Sequence, residues 1–314
     1  MSTGPQKSSI RFGKFEVLQL LGRGGMAEVY KARIVEGPLA GQLVALKRLS
    51  SKLCEDAEAL DLFTGEADIS RLLHHPNIVQ VFETGVVGDL YYLAMEYVEG
   101  RDLAHVLARC RELNILVPVP FAVHIARAML SALAYAHAAV GPNGNPLNIV
   151  HCDVSPSNLF ISLTGEIKLG DFGIAKVRAH GDGDLGGTLW GKLAYLAPEL
   201  LDRAPLTPHA DLWSAAAVLY ECLASRRALQ AANTELLKEA VRTVDVPPIS
   251  SQRDDLPFGL DTVVHKALAK RQRDRYATAA DFYEALAPFH DEAIGGALGV
   301  SSMVRGLFGV TNHG

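Results

Sequence analysis

The stretch that decides the fold reads HCDVSPSN at residues 151–158, and DFG follows at residues 171–173. It places a carboxylate at Asp153, an amide five positions later at Asn158 and a second carboxylate at Asp171. Carboxylate and amide oxygens are the hard ligands that Mg²⁺ prefers, usually together with waters and phosphate oxygens. A carboxylate ahead of such a pair is placed to orient a hydroxyl or to accept its proton. These groups, in this order and spacing, predict a phosphoryl-transfer site.

The composition is that of an ordinary folded protein, with 49% hydrophobic and 21% charged residues in a chain of 314. A net charge of −5 and a pI near 6.1 argue against a surface that coats nucleic acid or binds anionic membranes. No uninterrupted apolar run reaches transmembrane length, and the first residues lack the apolar core of a signal peptide. We therefore expect a cytoplasmic protein with neither a nucleic-acid nor a membrane partner. The cysteines, which show no metal-ligand spacing and are expected to be reduced, are Cys54, Cys110, Cys152 and Cys222.

Hydrophobic periodicity divides the chain into a strand-rich first part and a helical second part. A helix is predicted over residues 55–73, and the apolar segments 121–139 and 211–223 are expected to be buried helices. This order predicts an α+β fold of two lobes with a cleft between them. The predicted strands cover residues 15–21, 29–35, 43–47, 78–82 and 90–98.

Four segments follow from these patterns. Residues 1–13 are expected to be a mobile N-terminal segment, and residues 14–98 a small β-rich lobe with its hinge. Residues 99–290 form the larger helical lobe, and residues 291–314 a glycine-rich tail. Within the tail, residues 301–308 are compatible with one short docked helix.

Two motifs in the strand-rich part point to phosphate binding. GRGGMAEV at residues 22–29 is a turn between two predicted strands, a setting that suits a flap over phosphates because small residues let backbone N–H groups approach the oxygens. The next strand ends with VALK at residues 44–47. The helix after it offers Glu66 as the partner of Lys47, with Glu58 as a rival nearer the helix N-terminus.

Together with MEYV at residues 95–98 and APE at residues 197–199, these motifs resemble those of eukaryotic-like (Hanks-type) protein kinases. The similarity is greatest to bacterial serine/threonine kinases of this type and covers about residues 15–290. It implies the two-lobed protein kinase fold, a small β-rich N-lobe and a larger helical C-lobe, with ATP and Mg²⁺ as cofactors. Mg·ATP is then expected in the cleft, with Lys47 and Asp171 as its main polar anchors.

The resemblance also assigns roles to individual residues. Asp153, Asn158, Ser155 and Lys192 are the implied catalytic residues, and Asn158 and Asp171 the implied Mg²⁺ ligands. In the family, backbone groups of the hinge bond the adenine and a nearby acid contacts the ribose. The implied nucleotide-binding residues are Leu21, Gly22, Gly24, Gly25, Met26, Ala27, Val29, Ala45, Lys47, Glu66, Met95, Glu96, Val98, Asp102 and Phe160.

Structural roles are implied as well. Glu199 is expected to pair with Arg275, and Asp211 to anchor the backbone of the loop that carries Asp153. These residues support the site without taking part in its chemistry.

Two residues of the HCDVSPSN stretch, and a third later in the chain, depart from the family pattern. Cys152 replaces the Arg that usually receives an activation-loop phosphate, so phosphorylation of Thr188 has no obvious receiver beyond Lys176 or Arg178. Ser155 replaces the Lys that stabilises the transferring phosphoryl group. Lys192 stands where related kinases have Thr, in a segment that meets the catalytic Asp. We expect its ammonium within roughly 4 Å of the Asp153 carboxylate, where it would restore the missing charge.

The sequence thus predicts an ATP-dependent protein kinase that transfers the γ-phosphate to Ser or Thr hydroxyls of proteins, with itself as one candidate substrate. The Ser/Thr preference rests on Pro156 and on the general kinship. A pseudokinase that binds ATP or acts as a scaffold is the alternative, and Cys152 and Ser155 are its support. A small-molecule kinase of the same fold is a further alternative, against which the APE segment argues.

Overall fold

A computed structural model describes residues 10–172, 190–202 and 204–310. The chain forms two compact units, which we describe separately. Unit 1 runs to Leu72 and includes Val79–Tyr97, and unit 2 comprises Leu73–Ile78 and the chain from Val98 onward. Several predictions concern residues outside the described ranges: those for most of residues 1–13, for Gly173, and for the loop with Lys176, Arg178 and Thr188.

Unit 1 is built on an antiparallel sheet of six strands in the order β1-β2-β3-β4-β6-β5. One two-residue turn, at Gly88 and Asp89, connects β5 to β6 and lets them pair. Gly88 has the positive φ of 60° that such a turn requires. The strands are β1 Ile10–Phe12, β2 Phe15–Arg23, β3 Ala27–Ile34, β4 Leu43–Leu49, β5 Val81–Val87 and β6 Leu90–Glu96.

One helix, α1 (Ala57–Leu72), packs on this sheet. Its apolar residues Phe63 and Ala67 join Val81 and Leu93 in a buried cluster. The predicted helix and strands are therefore present. The strand predicted over 78–82 begins later, at Val81, because Ile78 instead forms an isolated bridge to Leu169.

Unit 2 is helical around two long, apolar helices, α3 (Val119–His137) and α6 (His209–Ala224). Its helices are α2 Leu103–Glu112, α3, α4 Trp190–Leu193, α5 Pro198–Leu201, α6, α7 Thr234–Thr243, α8 Leu260–Ala267, α9 Ala279–Ala285, α10 Glu292–Gly295 and α11 Ala297–Phe308.

Helix α3 is long and apolar enough, by length and composition alone, to cross a membrane. It contains no uninterrupted apolar run of transmembrane length, because His124 and Arg127 lie within it. Since 56% of its most apolar window is buried inside the protein, packing in the core of unit 2 accounts for its apolar character.

A small antiparallel sheet in unit 2 positions the loop that carries Asp153. Its strands are β7 (Gly100–Asp102), β8 (Leu159–Ser162) and β9 (Ile167–Leu169), in that order. The loop ends in a 3₁₀ turn at Pro156–Asn158 and passes directly into β8. Asp171 follows two residues after β9, so the hairpin β8–β9 fixes the separation of the two acidic segments.

The tail docks on unit 2 through close backbone contacts. A Cβ on Gly165 would lie 1.8 Å from the carbonyl oxygen of Ala297, so only glycine permits this approach. The Ser301 hydroxyl and the Arg305 guanidinium both donate to the Leu163 carbonyl oxygen, at 2.6 and 2.9 Å. The described part of the tail contains two helices, α10 and α11. The short helix expected over residues 301–308 corresponds to α11, which begins four residues earlier, at Ala297.

Candidate active site

The loop with Asp153 is anchored through its backbone to helix α6. The buried carboxylate of Asp211 accepts the N–H groups of His151 and Cys152, at 2.8 and 2.9 Å. His137 Nε2 lies 2.8 Å from the same carboxylate. The anchoring role expected for Asp211 is therefore confirmed.

His151 ties this loop to the segment before Asp171. Its ring is fully buried, with Nε2 3.0 Å from the Gly170 carbonyl oxygen and Nδ1 3.2 Å from the Asp153 nitrogen. A single tautomer satisfies both contacts: Nε2–H donates to the carbonyl and Nδ1 accepts from the amide. Burial lowers the pKa of His151, so the ring remains neutral at physiological pH. The sequence offered no signal for this bridging role beyond the position of His151 in the motif.

Asp153 and Asn158 are in direct contact. Asn158 Nδ2 donates to the Asp153 carbonyl oxygen and to Asp153 Oδ2, both at 2.8 Å. Because the amide nitrogen is used in this way, the amide oxygen is the atom that Asn158 can offer to a metal. Asp171 has a φ of 53°, a left-handed conformation that non-glycine residues adopt rarely and often at functional sites.

Lys192, on α4, reaches the same carboxylate. Its Nζ lies 2.7 Å from Asp153 Oδ2, well within the roughly 4 Å expected from the sequence. The Asp153 side chain is 7% exposed and that of Lys192 24% exposed. Solvent therefore screens this ion pair only partly. Asp153 Oδ2 accepts hydrogen bonds from two donors, Lys192 Nζ and Asn158 Nδ2.

The two departures from the family pattern both lie within this loop. Ser155 is buried, and its hydroxyl is 3.1 Å from that of Ser157. Cys152 has a φ of 65°, and burial, the largest cause, raises the pKa of its thiol. The thiol is thus held protonated and lacks the thiolate character that reactive cysteines need.

In unit 1, Lys47 and Glu66 form an ion pair. Lys47 Nζ lies 2.6 Å from Glu66 Oε1, and the side chains are only 13% and 14% exposed. Glu58, the rival partner, lies in the first turn of α1 and is exposed. Strand β4 and helix α1 together therefore fix the position of the Lys47 ammonium.

The register of the sheet aligns the predicted nucleotide-binding residues. Gly22 pairs with Val29, and Val29 pairs with Lys47 on the next strand. Two residues earlier on β4, Ala45 pairs with Met95 of β6. These residues therefore lie in two cross-strand rows on the neighbouring strands β2, β3, β4 and β6.

The glycines of the turn between β2 and β3 are not required by the protein's own packing. A Cβ on Gly22 or Gly25 would meet no heavy atom within 4 Å, and one on Gly24 only the Ala27 carbonyl oxygen at 3.5 Å. None of the three has a positive φ. The remaining members of this predicted set, Leu21, Met26 and Ala27, lie in or beside the same turn.

The predicted hinge residues have contacts of their own. Glu96 N donates to the Gln80 carbonyl oxygen at 2.8 Å, so any bond from Glu96 to a base would come from its carbonyl group. Asp102 is the N-cap of α2: one carboxylate oxygen accepts from His105 N at 2.8 Å and the other lies 2.7 Å from His105 Nδ1. Capping therefore provides a structural reason for an Asp at this position, apart from any ribose contact.

Val98 and Phe160 complete the predicted set. Val98 follows β6 at the start of the main part of unit 2, and Phe160 lies on β8, paired with Asp102 of β7. Both side chains are partly exposed.

Glu199 and Arg275 form a buried bidentate ion pair, with N–O distances of 2.6 and 2.7 Å. Arg275 also donates to three carbonyl oxygens, those of Ala269, His209 and Lys270. The predicted pairing is confirmed, and it fixes the start of α5 to the core of unit 2.

Known kinases resemble this chain over most of its length. The family model for the protein kinase domain matches residues 15–285. Tyrosine-protein kinase MasK of Myxococcus xanthus is 33% identical over 300 residues, which are 95% of this chain and 46% of MasK. Serine/threonine-protein kinase PknH of Mycobacterium tuberculosis is 34% identical over 287 residues, 90% of this chain and 44% of PknH. The chain thus spans less than half the length of these curated relatives.

Solved structures lead to the same conclusion. The kinase domain of Mycobacterium tuberculosis PknI superposes with a TM-score of 0.67 and 27% identity, covering 91% of this chain and 100% of that domain. The shared architecture is a β-sheet N-lobe and a helical C-lobe, which is the α+β kinase fold expected from the sequence. From the matched family model and these relatives, we conclude that the chain belongs to the protein kinase domain family.

Proposed function

We propose that this chain transfers the γ-phosphoryl group of ATP, with Mg²⁺, to Ser or Thr hydroxyls of proteins. The observation that carries the proposal is the arrangement around Asp153, whose carboxylate accepts from both Asn158 and Lys192. Two donors fix the orientation of this carboxylate. In a loose phosphoryl-transfer transition state, positioning and charge stabilisation contribute more than strong basicity. Asp153 would accordingly orient the acceptor hydroxyl and take its proton.

The donor set suits Mg²⁺. Asn158 has its amide nitrogen engaged with Asp153, which directs its oxygen away from that contact, and Asp171 supplies a carboxylate. When bound there, Mg²⁺ would neutralise charge on the ATP phosphates. His151 holds the two ligand-bearing segments together through Asp153 N and Gly170 O. We therefore assign Asn158 and Asp171 as the metal ligands.

The residues of unit 1 suit the nucleotide. Lys47, held by Glu66, presents a fixed ammonium for the α- and β-phosphates. The β2–β3 turn has three glycines with no internal packing requirement, as expected if their small size serves the approach of a ligand. Ala45 and Met95, paired across β4 and β6, would contact the adenine ring.

Lys192 is proposed as the cation that stabilises the transferring phosphoryl group. Ser155 cannot supply a charge, and its hydroxyl is engaged with Ser157. Lys192 already lies beside Asp153, so a small movement of its flexible side chain would bring it to the phosphoryl oxygens. If Lys192 does not act in this way, the loop lacks its usual cation and the pseudokinase alternative is favoured.

We propose Ser/Thr specificity and a cytoplasmic location for the domain. PknH is named a serine/threonine kinase, whereas MasK is named a tyrosine kinase. Pro156 opens the 3₁₀ turn after Asp153, as in the Ser/Thr group that the sequence resembles. The four cysteines are free thiols, which is typical of a reducing compartment.

Mass spectrometry of the chain after incubation with Mg·ATP tests the specificity. We expect phosphate on Ser and Thr residues of the chain itself and of a generic protein such as casein. The same reaction with Asp153→Asn is the control for contaminating kinases. Phosphate found only on Tyr would contradict the Ser/Thr assignment.

A further inference from the structure

Three potential metal ligands converge at a place remote from Asp153 in the sequence. They are His124 on α3, His290 after the 3₁₀ turn Ala287–Phe289, and Glu292 at the start of α10. His124 Nδ1 lies 3.2 Å from His290 Nε2, and Glu292 Oε2 lies 3.8 and 3.4 Å from these two nitrogens. Within the described parts of the chain, no other group of His, Cys, Asp or Glu side chains meets the same geometric criterion.

A hydrogen bond between the two histidines does not fully account for this arrangement. In a pair of neutral imidazoles, one of the facing nitrogens carries the proton and the other presents a lone pair. The carboxylate oxygen of Glu292 faces both nitrogens and adds a negative charge. At least one unprotonated nitrogen is then directed toward a carboxylate, which favours a cation between the three atoms.

The spacing matches the edges of a small coordination tetrahedron. Zinc–nitrogen and zinc–oxygen bonds of about 2.0–2.1 Å at tetrahedral angles place neighbouring ligand atoms about 3.3–3.4 Å apart. The two shorter separations here, 3.2 and 3.4 Å, fall close to that value. The third, 3.8 Å, requires only a small rotation of the Glu292 side chain, which is 71% exposed.

The backbone holds the three residues in this relation. A Cβ on Gly295 would lie 2.4 Å from the Pro120 carbonyl oxygen, so glycine allows α10 to lie directly against the first turn of α3. Asp291 caps α10 by accepting the N–H groups of Ala293 and Ile294, at 3.0 and 3.2 Å. The donor side chains therefore extend from ordered elements, as a preformed metal site requires.

We propose that His124, His290 and Glu292 form a Zn²⁺-binding site that fastens the C-terminal tail to helix α3. Two imidazoles and one carboxylate suit Zn²⁺, with a water as the fourth ligand. Mg²⁺ is unsuitable because it prefers oxygen ligands in an octahedron. The side chains of His124 and His290 are 19% and 21% exposed, and the exposed Glu292 leaves a path for the ion to enter.

Zn²⁺ bound at this site would stabilise the docking of the C-terminal tail. Glu292 begins the pair of short helices that continues through α11, which binds Leu163 through Ser301 and Arg305. An ion shared between α3 and α10 adds a bond that the unfolded chain lacks, and so stabilises the docked tail. None of the three residues belongs to the set proposed for phosphoryl transfer, so their variants test the Zn²⁺ site separately from the transfer activity.

Zinc binding to the purified chain tests the proposal directly. After removal of metals with EDTA, competition with a chromophoric chelator in excess Mg²⁺ should reveal one equivalent of bound Zn²⁺. The Mg²⁺ blocks the oxygen ligands at Asn158 and Asp171, and an Asp171→Asn variant should still bind one equivalent. Loss of a residue that only hydrogen-bonds to a metal ligand typically weakens metal binding by about 10–100-fold. His124→Asn and His290→Asn each remove a proposed ligand, so they should weaken Zn²⁺ binding at least as much. Zn²⁺ should also slow hydrogen exchange of α10 and α11.

Matched variants separate zinc binding from loss of folding. Glu292→Gln removes one ligand at an exposed position and should weaken Zn²⁺ binding while leaving the circular dichroism spectrum unchanged. His105→Asn alters another His–carboxylate pair, which has no third candidate ligand among the described residues, and should bind as the wild type does. Failure of the wild-type chain to bind Zn²⁺, or full binding by both Glu292→Gln and His290→Asn, would overturn the proposal.

Discussion

Among single residues, Asp153 and its hydrogen-bond donors matter most for the proposed phosphoryl-transfer activity. Its carboxylate is buried, and Asn158 and Lys192 both donate to the same oxygen. A family kinase would have a Lys where this chain has Ser155. The positive charge beside Asp153 instead comes from α4, which follows the loop after Asp171. In the proposed mechanism, formation of the site therefore depends on the position of α4.

Replacing Lys192 by Ala should lower kcat by about 10²-fold, as deletion of an oxyanion stabiliser does. The double change Ser155→Lys with Lys192→Thr should recover part of the loss because it restores the family arrangement, so the two changes should be non-additive. Steady-state kinetics with ATP and a generic protein measure both effects. Lys238→Ala serves as the control because this Lys has the same side-chain exposure as Lys192, 24%, and is likewise paired with a carboxylate, that of Glu235. Full activity of Lys192→Ala would make Lys192 a structural residue only.

Activity should not require phosphorylation of Thr188, a residue outside the described ranges. Cys152, in place of the usual Arg, cannot receive a phosphate, and burial raises the pKa of its thiol, so it carries no charge. Phosphatase treatment or Thr188→Ala should therefore change kcat by no more than a few-fold. A loss of two orders of magnitude in either experiment would show that another residue receives the phosphate.

Among the secondary-structure elements, the β2–β3 turn has a glycine, Gly24, that we expect to serve nucleotide binding and not the stability of the fold. Gly24 lacks a positive φ, and a Cβ there would make only an ordinary contact of 3.5 Å. Gly24→Ala should therefore leave the melting temperature of the nucleotide-free protein unchanged or slightly raised while it increases KM for ATP. Gly88, with a φ of 60° in the β5–β6 turn, is the matched control. Gly88→Ala should reduce stability by about 1–2 kcal/mol without a change in KM. The reverse pattern would indicate that Gly24 serves the fold.

The ion pair between Glu199 and Arg275 should be essential for stability. Both side chains are almost completely buried, so Arg275→Met leaves an unpaired carboxylate in the core of unit 2. We expect a loss of about 3–5 kcal/mol in the free energy of unfolding, measured by urea denaturation. Adding Glu199→Gln should recover part of that loss because the buried charge is removed. An unchanged midpoint for Arg275→Met would contradict this account.

The sequence predicted the elements of unit 1 well because strand and helix periodicities are local signals. It also predicted the partners Lys47 and Glu66, 19 positions apart, through a shared motif. The sequence did not predict contacts between residues that share no motif. The capping role of Asp102 depends on a helix boundary, and the approach of His124 to His290 joins residues 166 positions apart. Such pairs are brought together by tertiary packing, which periodicity does not encode.

At the scale of the whole molecule, the chain combines a kinase domain with a tail that packs on unit 2. The matched family model ends at residue 285, so α10 and α11 lie beyond it. Gly295 of α10 and Gly165 of the β8–β9 turn allow the close backbone contacts between the tail and the rest of unit 2. For this reason the composition of the tail indicated small residues but not where they dock. Zn²⁺ bound at the proposed site would link α10 to α3 and so stabilise this packing.

Transfer of labelled phosphate from ATP, with Mg²⁺, to the chain itself and to a generic protein distinguishes a kinase from a pseudokinase. The wild-type chain should transfer phosphate, whereas Asp153→Asn should be slower by about 10²–10⁴-fold because the hydroxyl is no longer oriented and its proton no longer accepted. Lys47→Met should lower transfer comparably, and circular dichroism should show that both variants are folded. If the folded wild-type chain binds ATP but transfers no more phosphate than Asp153→Asn, the claim of catalysis is contradicted and the chain is a pseudokinase.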